Sequence, residues 1–178
     1  MMPTRILLEG RPGAGKTTLV RRLATLLRDR RTVGFTTEEI RQGGARTGFA
    51  LETLEGGRRA VLAHVDFPGP PRVGRYGVDP DVIEQLALPS LMSVAADPTA
   101  GDLVLIDELG RMELACTAFQ DTVRCLFESD IDIVATVHAH HDPFTDALKQ
   151  RPDVTLLQVT RTNRDTLPED LAARLEEP

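Results

Sequence analysis

The stretch that decides the fold runs Arg5-Ile6-Leu7-Leu8-Glu9-Gly10-Arg11-Pro12-Gly13-Ala14-Gly15-Lys16-Thr17-Thr18-Leu19. Arg5-Ile6-Leu7-Leu8 is a short run of buried-strand type. The eight residues from Gly10 to Thr17 then fit Gly-x-x-x-x-Gly-Lys-Thr at every fixed position. Beyond them Leu19, Leu23, Leu26 and Leu27 recur at helical spacing, and Arg28, Arg30 and Arg31 stand near the end, where a helix dipole favours cations. Strand, glycine-rich turn and helix in this order are the setting in which the pattern cradles phosphate. Glycines let backbone N–H groups curl around phosphate oxygens, and the helix N-terminus adds its positive end. Lys16 reaches the β- and γ-phosphates, the Thr17 hydroxyl ligates Mg²⁺, and Thr18 stands within reach of the α-phosphate. Gly10, Arg11, Pro12, Gly13, Ala14, Gly15, Lys16, Thr17 and Thr18 are therefore candidate nucleotide-binding residues, against the plainer alternative of a glycine turn without ligand.

Lysine usage supports that reading. Of 21 basic residues only Lys16 and Lys149 are lysine, and the other 19 are arginine. A chain that otherwise uses arginine keeps a compact ammonium at position 16, where a planar fork would not serve.

Downstream, Leu103-Val104-Leu105-Ile106 is a second buried strand, ending in Asp107-Glu108. An Asp at this place holds Mg²⁺, usually through its water shell, so Thr17 and Asp107 are the metal candidates. The adjacent Glu108 can polarise a water in line with the γ-phosphorus. The alternative is an acidic pair that merely caps a helix, and the upstream phosphate loop tips the balance. Lys16, Glu108 and Arg111 are the candidate catalytic residues. Asp107, Glu108, Leu109, Gly110 and Arg111 form a second nucleotide-facing segment. Arg41, Arg46, Arg72 and Arg75 are further candidates for an arginine finger, although a solvated surface charge explains most single arginines as well. His138, His140, His141 and Asp142 follow a strand-like run, where His138 either touches the γ-phosphate region or caps the strand. A dedicated transition-metal site there is the minor reading. Asn163-Arg164-Asp165 follows the last strand-like run. Asn163 and Arg164 are base-side candidates, with Arg164 stacking on any base; equally, Asn163 or Asp165 could cap a helix.

Strand-like runs at Ile131 to Val137 and Val154 to Val159, both expected to be buried, alternate with helical patterns. One such pattern is Met112, Cys116, Phe119, Val123 and Leu126. The expected fold is α/β, a three-layer sandwich around a mainly parallel sheet. Thr47 to Val65, two strands around Gly56-Gly57, adds a β-hairpin insertion. Residues 66–75, rich in proline and glycine, form a loop; Asp79-Pro80 starts a helix, and Pro89 breaks it in two. The 178 residues suit one domain, residues 1–178. The net charge of −6 argues against a nucleic-acid partner, and no apolar run is long enough for a membrane. With no signal-peptide pattern, the cytoplasm is the expected compartment. Cys116 and Cys125 lie too far apart on one helix for a disulfide. The sequence does not fix the oligomeric state; a monomer is expected.

Further blocks carry a resemblance. They are Gly34-Phe35-Thr36-Thr37-Glu38-Glu39-Ile40-Arg41, Gly43-Gly44-Ala45-Arg46-Thr47-Gly48-Phe49, Val73-Gly74-Arg75-Tyr76-Gly77-Val78, Ile106-Asp107-Glu108-Leu109-Gly110-Arg111-Met112-Glu113-Leu114 and Asn163-Arg164-Asp165. In this order, over about residues 5–166, they resemble the THEP-type nucleoside-triphosphatases, the family that includes the animal cancer-related nucleoside-triphosphatase. Arg111 stands where that family usually has lysine, and Ala115-Cys116 where it often has an aromatic and a serine. The resemblance implies Mg²⁺-dependent hydrolysis of several nucleoside triphosphates, ATP and GTP among them, to diphosphate and phosphate with little base selectivity. It also implies a fold close to RecA-like and nucleotide-kinase phosphate-loop domains. Without a well-placed finger, turnover is expected to be slow, on the order of 10⁻² s⁻¹. The competing expectations are a nucleotide or nucleoside kinase and a regulatory nucleotide-binding subunit of a nucleic-acid machine. The chain has no Asn-Lys-x-Asp guanine signature.

Overall fold

A computed structural model describes residues 2–99 and 101–177. The chain opens with β1 (Arg5–Glu9), α1 (Lys16–Leu26), β2 (Thr32–Gln42), β3 (Ala45–Thr53), β4 (Arg59–His64), β5 (Arg72–Val73) and β6 (Tyr76–Val78). Next come α2 (Pro80–Val82), a π-helical turn (Ile83–Ala87) and α3 (Leu88–Ala95). The remainder is β7 (Leu103–Ile106), α4 (Thr117–Glu128), β8 (Asp132–Val137), α5 (Pro143–Lys149), β9 (Thr155–Gln158) and α6 (Leu167–Glu176).

One nine-stranded sheet runs β5-β6-β4-β3-β2-β7-β8-β1-β9. The block β2-β7-β8-β1-β9 is parallel, and β3, β4, β6 and β5 extend it antiparallel from β2, so the sheet is mixed. Alternation along each parallel strand feeds two cores. Leu7, Val104, Ile106, Ile133 and Ala135 pack on one face with α3 and α4. Ile6, Leu8, Leu103, Leu105 and Val134 pack on the other with α1 and α6. Helices, sheet and helices make three layers.

Several sequence expectations change in the fold. β2 is an eleven-residue strand without a clear sequence signal, because only its first half is buried and the rest is polar and solvent-facing. Its entry is marked by Gly34, where a Cβ would stand 1.8 Å from the Leu105 carbonyl oxygen, so only glycine lets β2 approach β7. β9 is a half-exposed edge strand rather than a buried one, because only β1 flanks it. α1 buries Leu19, Val20 and Leu23 and leaves Leu26 exposed. Arg30, beyond the helix, donates to the carbonyls of Leu175 and Asp102 and pairs with Asp132 at 2.8 Å, so it ties elements together instead of serving the α1 dipole. Met112 to Ala115 lie in turns, and α4 begins only at Thr117. Residues 72 and 73, expected in a loop, pair as β5 with β6.

Asp79 caps α2 with Pro80 in its first turn. Pro89 does not break the helix. Its missing N–H leaves the Gln85 carbonyl without a helical donor, the chain widens into the π-turn, and Arg58 reaches that carbonyl at 3.5 Å. Cys116 and Cys125 are both free thiols. No helix of the described residues is long and apolar enough to cross a membrane.

Candidate active site

The parallel strands deliver the candidate residues to one edge of the sheet, where their carboxyl ends lie side by side in the order β7-β8-β1. After β1 the chain turns through Gly10 to Gly15 and enters α1 at Lys16. Gly13 and Gly15 take φ of 77° and 101°, left-handed values that glycine adopts without strain. Lys16 is only 8% exposed. Its ammonium folds over the loop and donates to the carbonyls of Gly10 at 2.8 Å and Arg11 at 3.3 Å. Arg11, Pro12 and Gly13 are exposed, Ala14 and Gly15 partly buried, and Thr18 projects from α1 into solvent.

Asp107, at the end of β7, is 2% exposed. The Thr17 hydroxyl donates to its Oδ2 at 2.6 Å and the Thr136 hydroxyl to its Oδ1 at 2.7 Å. The Thr37 N–H lies 3.5 Å from Oδ2. Burial pushes the Asp107 carboxyl up, and the two threonine hydrogen bonds oppose that rise. Three elements thus converge on one carboxylate: the start of α1, the end of β8 and the middle of β2. Oxygen donors of this kind, a threonine hydroxyl and a carboxylate, suit Mg²⁺, and the Thr17–Asp107 contact puts both at one point.

Glu108 is next in the chain and partly exposed. His138, just past β8, places its Nε2 2.6 Å from Glu108 Oε1. His138 also stacks on His140, with ring centroids 4.6 Å apart. His141 pairs with Asp146, and Asp142 caps α5 by accepting from the N–H groups of Phe144 and Thr145. Among the described residues no group of three or more His, Cys, Asp and Glu is arranged to hold a metal ion. The histidine run is therefore a partner of Glu108 and a helix start.

Other candidates have different fates. Leu109 is 1% exposed and packs in the core, so its side chain does not face a nucleotide. Gly110 is buried; its N–H donates to Glu113 at 3.2 Å, and a Cβ there would press on both Glu113 and Glu108. Arg41 and Arg46 pair with Glu39, Arg46 also donates to the Tyr76 hydroxyl, Arg72 donates to the carbonyls of Phe67 and Arg75, and Arg75 donates to that of Arg46. Arg111, three residues after Glu108, is exposed and makes no hydrogen bond or ion pair among the described residues, so its guanidinium is uncommitted. Asn163 uses its amide on the turn after β9, donating to the Gln158 carbonyl and accepting from the Thr160 N–H, both at 2.8 Å. Neither Asn163 nor Asp165 caps α6, whose N-cap is Thr166. Arg164 leans on the loop: its Cδ would stand 3.1 Å from a Cβ at Gly15.

Three participants escaped the sequence reading. Thr136 and Thr37 are ordinary strand threonines until the sheet sets them beside Asp107. Glu113 is 3% exposed, and burial, followed by the charge of Glu108, pushes its carboxyl up to about 8. Its sequence signals were its place in the block Ile106 to Leu114 that carries the family resemblance and its flanking by Met112 and Leu114.

A glycine-rich loop between β1 and α1, facing a buried strand-end aspartate bonded to the loop threonine, defines a phosphate-loop nucleotide-binding protein. Residues 5–172 match the family described as NTPase. The chain is 40% identical over 172 residues to nucleoside-triphosphatase THEP1 of Thermotoga sp. (strain RQ2), covering 97% of this chain and 95% of that one. It superposes on the crystal structure of THEP1 from Aquifex aeolicus with a TM-score of 0.87 at 34% identity, covering 98% of this chain and 100% of that one. On the solution structure of a human cancer-related nucleoside triphosphatase the TM-score is 0.81 at 37% identity, with 97% of each chain covered. The chain belongs to this NTPase family.

Proposed function

We propose that the chain, acting as one domain, hydrolyses nucleoside triphosphates to diphosphate and phosphate with Mg²⁺. The observation that carries the reading is Asp107 held between the Thr17 and Thr136 hydroxyls, with Glu108 beside it and bound to His138. The names of the similar proteins support the reaction class. The strand order, with β8 between β1 and β7, supports the RecA-like of the two arrangements that the sequence left open. On that reading β3 to β6 are an antiparallel addition.

Loop N–H groups and Lys16 bind the β- and γ-phosphates. Thr17 and Asp107 would hold the Mg²⁺, which would supply positive charge to the terminal phosphates. Glu108 accepts a hydrogen bond from the attacking water and takes its proton; the contact from His138 fixes which carboxylate oxygen is left for that water. Arg111, exposed and without a hydrogen-bond or ion-pair partner among the described residues, supplies positive charge only when it swings toward the terminal phosphate. That supports slow turnover, on the order of 10⁻² s⁻¹. Arg164 against the loop offers a planar face to any base, which supports low base selectivity.

Glu108→Gln keeps the shape and removes the base. Nucleotide affinity is expected to persist while kcat falls by roughly 10²-fold; undiminished phosphate release would overturn the assignment. One observation favours a second reading, phosphoryl transfer. A cavity of about 760 Å³ between α4 and α5 is lined by Arg111, Leu114, Phe144 and Leu148 and has room for an acceptor. Phosphate release with no acceptor present separates the two.

A further inference from the structure

His138 contacts Glu108 through its ring, and its backbone carbonyl has a partner of its own at the end of α5. Lys149 is the last residue of that helix, and its side chain is 12% exposed. Its ammonium donates to the carbonyl oxygen of His138 at 2.8 Å and lies 2.5 Å from Glu9 Oε2. Asp146 stands further off, at 3.9 Å. Glu9 is the last residue of β1, immediately before the phosphate loop, and its other oxygen accepts from the Gln158 side chain of β9 at 2.6 Å. One ammonium therefore ties the ends of β8, β1 and β9 together beneath the loop and the histidine. Burial raises the Glu9 carboxyl, but the hydrogen bonds from Lys149 and Gln158 and the lysine charge outweigh it and hold the group below its ordinary range. The Glu9 carboxylate is thus held ionised, and its contact with Lys149 is directional. Its location is not explained by core packing, because an apolar side chain at 149 would leave the Glu9 charge partly buried without its cation.

We propose that Lys149 is a positioning residue for the hydrolytic site: by fixing the His138 carbonyl against Glu9 it aims the His138 imidazole at Glu108 Oε1. It acts through the backbone of His138. The inference rests on the reading of Glu108 as the residue that orients water. That dependence sets the choice of experiments.

The variants are Lys149→Met, Lys149→Arg, His138→Asn and the double variant Lys149→Met/His138→Asn, each on the full chain and checked for a cooperative thermal transition. In steady-state phosphate release from ATP with Mg²⁺, Lys149→Met should lower kcat about tenfold and change KM less than about twofold, since a misaimed base acts in the transition state and not in binding. Lys149→Arg keeps a charged donor and should recover most of the rate. The double variant should be no slower than His138→Asn alone, because both changes remove the same contact. Independent losses that multiply would overturn the proposal, and so would a normal kcat in Lys149→Met. Nitrogen NMR of the His138 ring reads the same positioning without catalysis. The Nε2 signal should move in Lys149→Met in the same direction as in Glu108→Gln. An unmoved ring signal refutes the proposal even if Glu108 proves dispensable, whereas a moved ring beside an active Glu108→Gln variant means that the positioning stands and the Glu108 reading falls.

Discussion

Replacing Glu113 by glutamine should make the protein less sensitive to alkaline pH. Glu113 is 3% exposed, accepts a hydrogen bond from the Gly110 N–H and stands in the field of Glu108 and Asp107. Burial first, and then those charges, push its carboxyl from 4.5 to about 8. The native state therefore keeps this proton up to about pH 8, while the unfolded chain gives it up near 4.5. Between those values the unfolded state binds fewer protons, so stability falls as pH rises, by about 1.4 kcal/mol per unit. Over the whole window, 8 − 4.5 or about 3.5 units, the loss approaches about 5 kcal/mol. Glutamine carries no proton to lose and still offers an oxygen to Gly110. The assay is urea unfolding of both proteins at about pH 5.5 and about pH 8.5. The stability of Glu113→Gln relative to the parent should rise by about 3 kcal/mol between them, the share of the window that those two conditions span. Titrations elsewhere, including that of Asp107, are common to both proteins and cancel to first order. A difference that stays constant with pH would mean that Glu113 is ionised in the fold and that the reasoning fails.

Lys16→Ala should abolish tight triphosphate binding, and Lys16→Arg should fail as well because the planar fork does not fit a loop closed around a point charge; equilibrium binding of a fluorescent triphosphate measures both. Thr136→Val leaves Asp107 Oδ1 without its hydroxyl donor. It should destabilise the fold by about 1–3 kcal/mol, read by urea unfolding, and weaken Mg²⁺-dependent nucleotide binding. Arg111→Ala should lower kcat more than nucleotide affinity if the free guanidinium swings onto the terminal phosphate; an unchanged kcat assigns that charge elsewhere.

The phosphate loop, its flanking strand and helix, and the strand that ends in Asp107-Glu108 were legible in the sequence because each is local. A turn that needs left-handed glycines, a helix dipole at its start and a four-residue apolar run all declare themselves within a dozen residues. β2 was not legible, since half of it is polar strand whose hydrogen bonds go to β3 and whose place beside β7 depends on one glycine. The π-turn before Pro89 was hidden for a related reason: whether a proline ends a helix or widens it depends on a distant donor, here Arg58, to take the freed carbonyl.

The sequence by itself determined what the candidate site is made of, namely the loop, Lys16, Thr17, Asp107 and Glu108, because phosphate chemistry demands those residue types at fixed short spacing. Only the tertiary structure decided how they are held. Thr136 bonds Asp107 from a strand 29 residues away, His138 meets Glu108 across a gap of 30 positions, and Lys149 reaches Glu9 from the opposite end of the chain. Tertiary structure also separated the arginines, committing Arg41, Arg46, Arg72 and Arg75 to partners in and around the antiparallel strands and leaving Arg111 without one among the described residues. Hydrogen bonds and ion pairs act over a few ångströms of space, whatever the separation along the chain. Sheet order sets which residues come that close, and sheet order is fixed by burying two faces of apolar side chains at once, a condition that no short stretch of sequence contains.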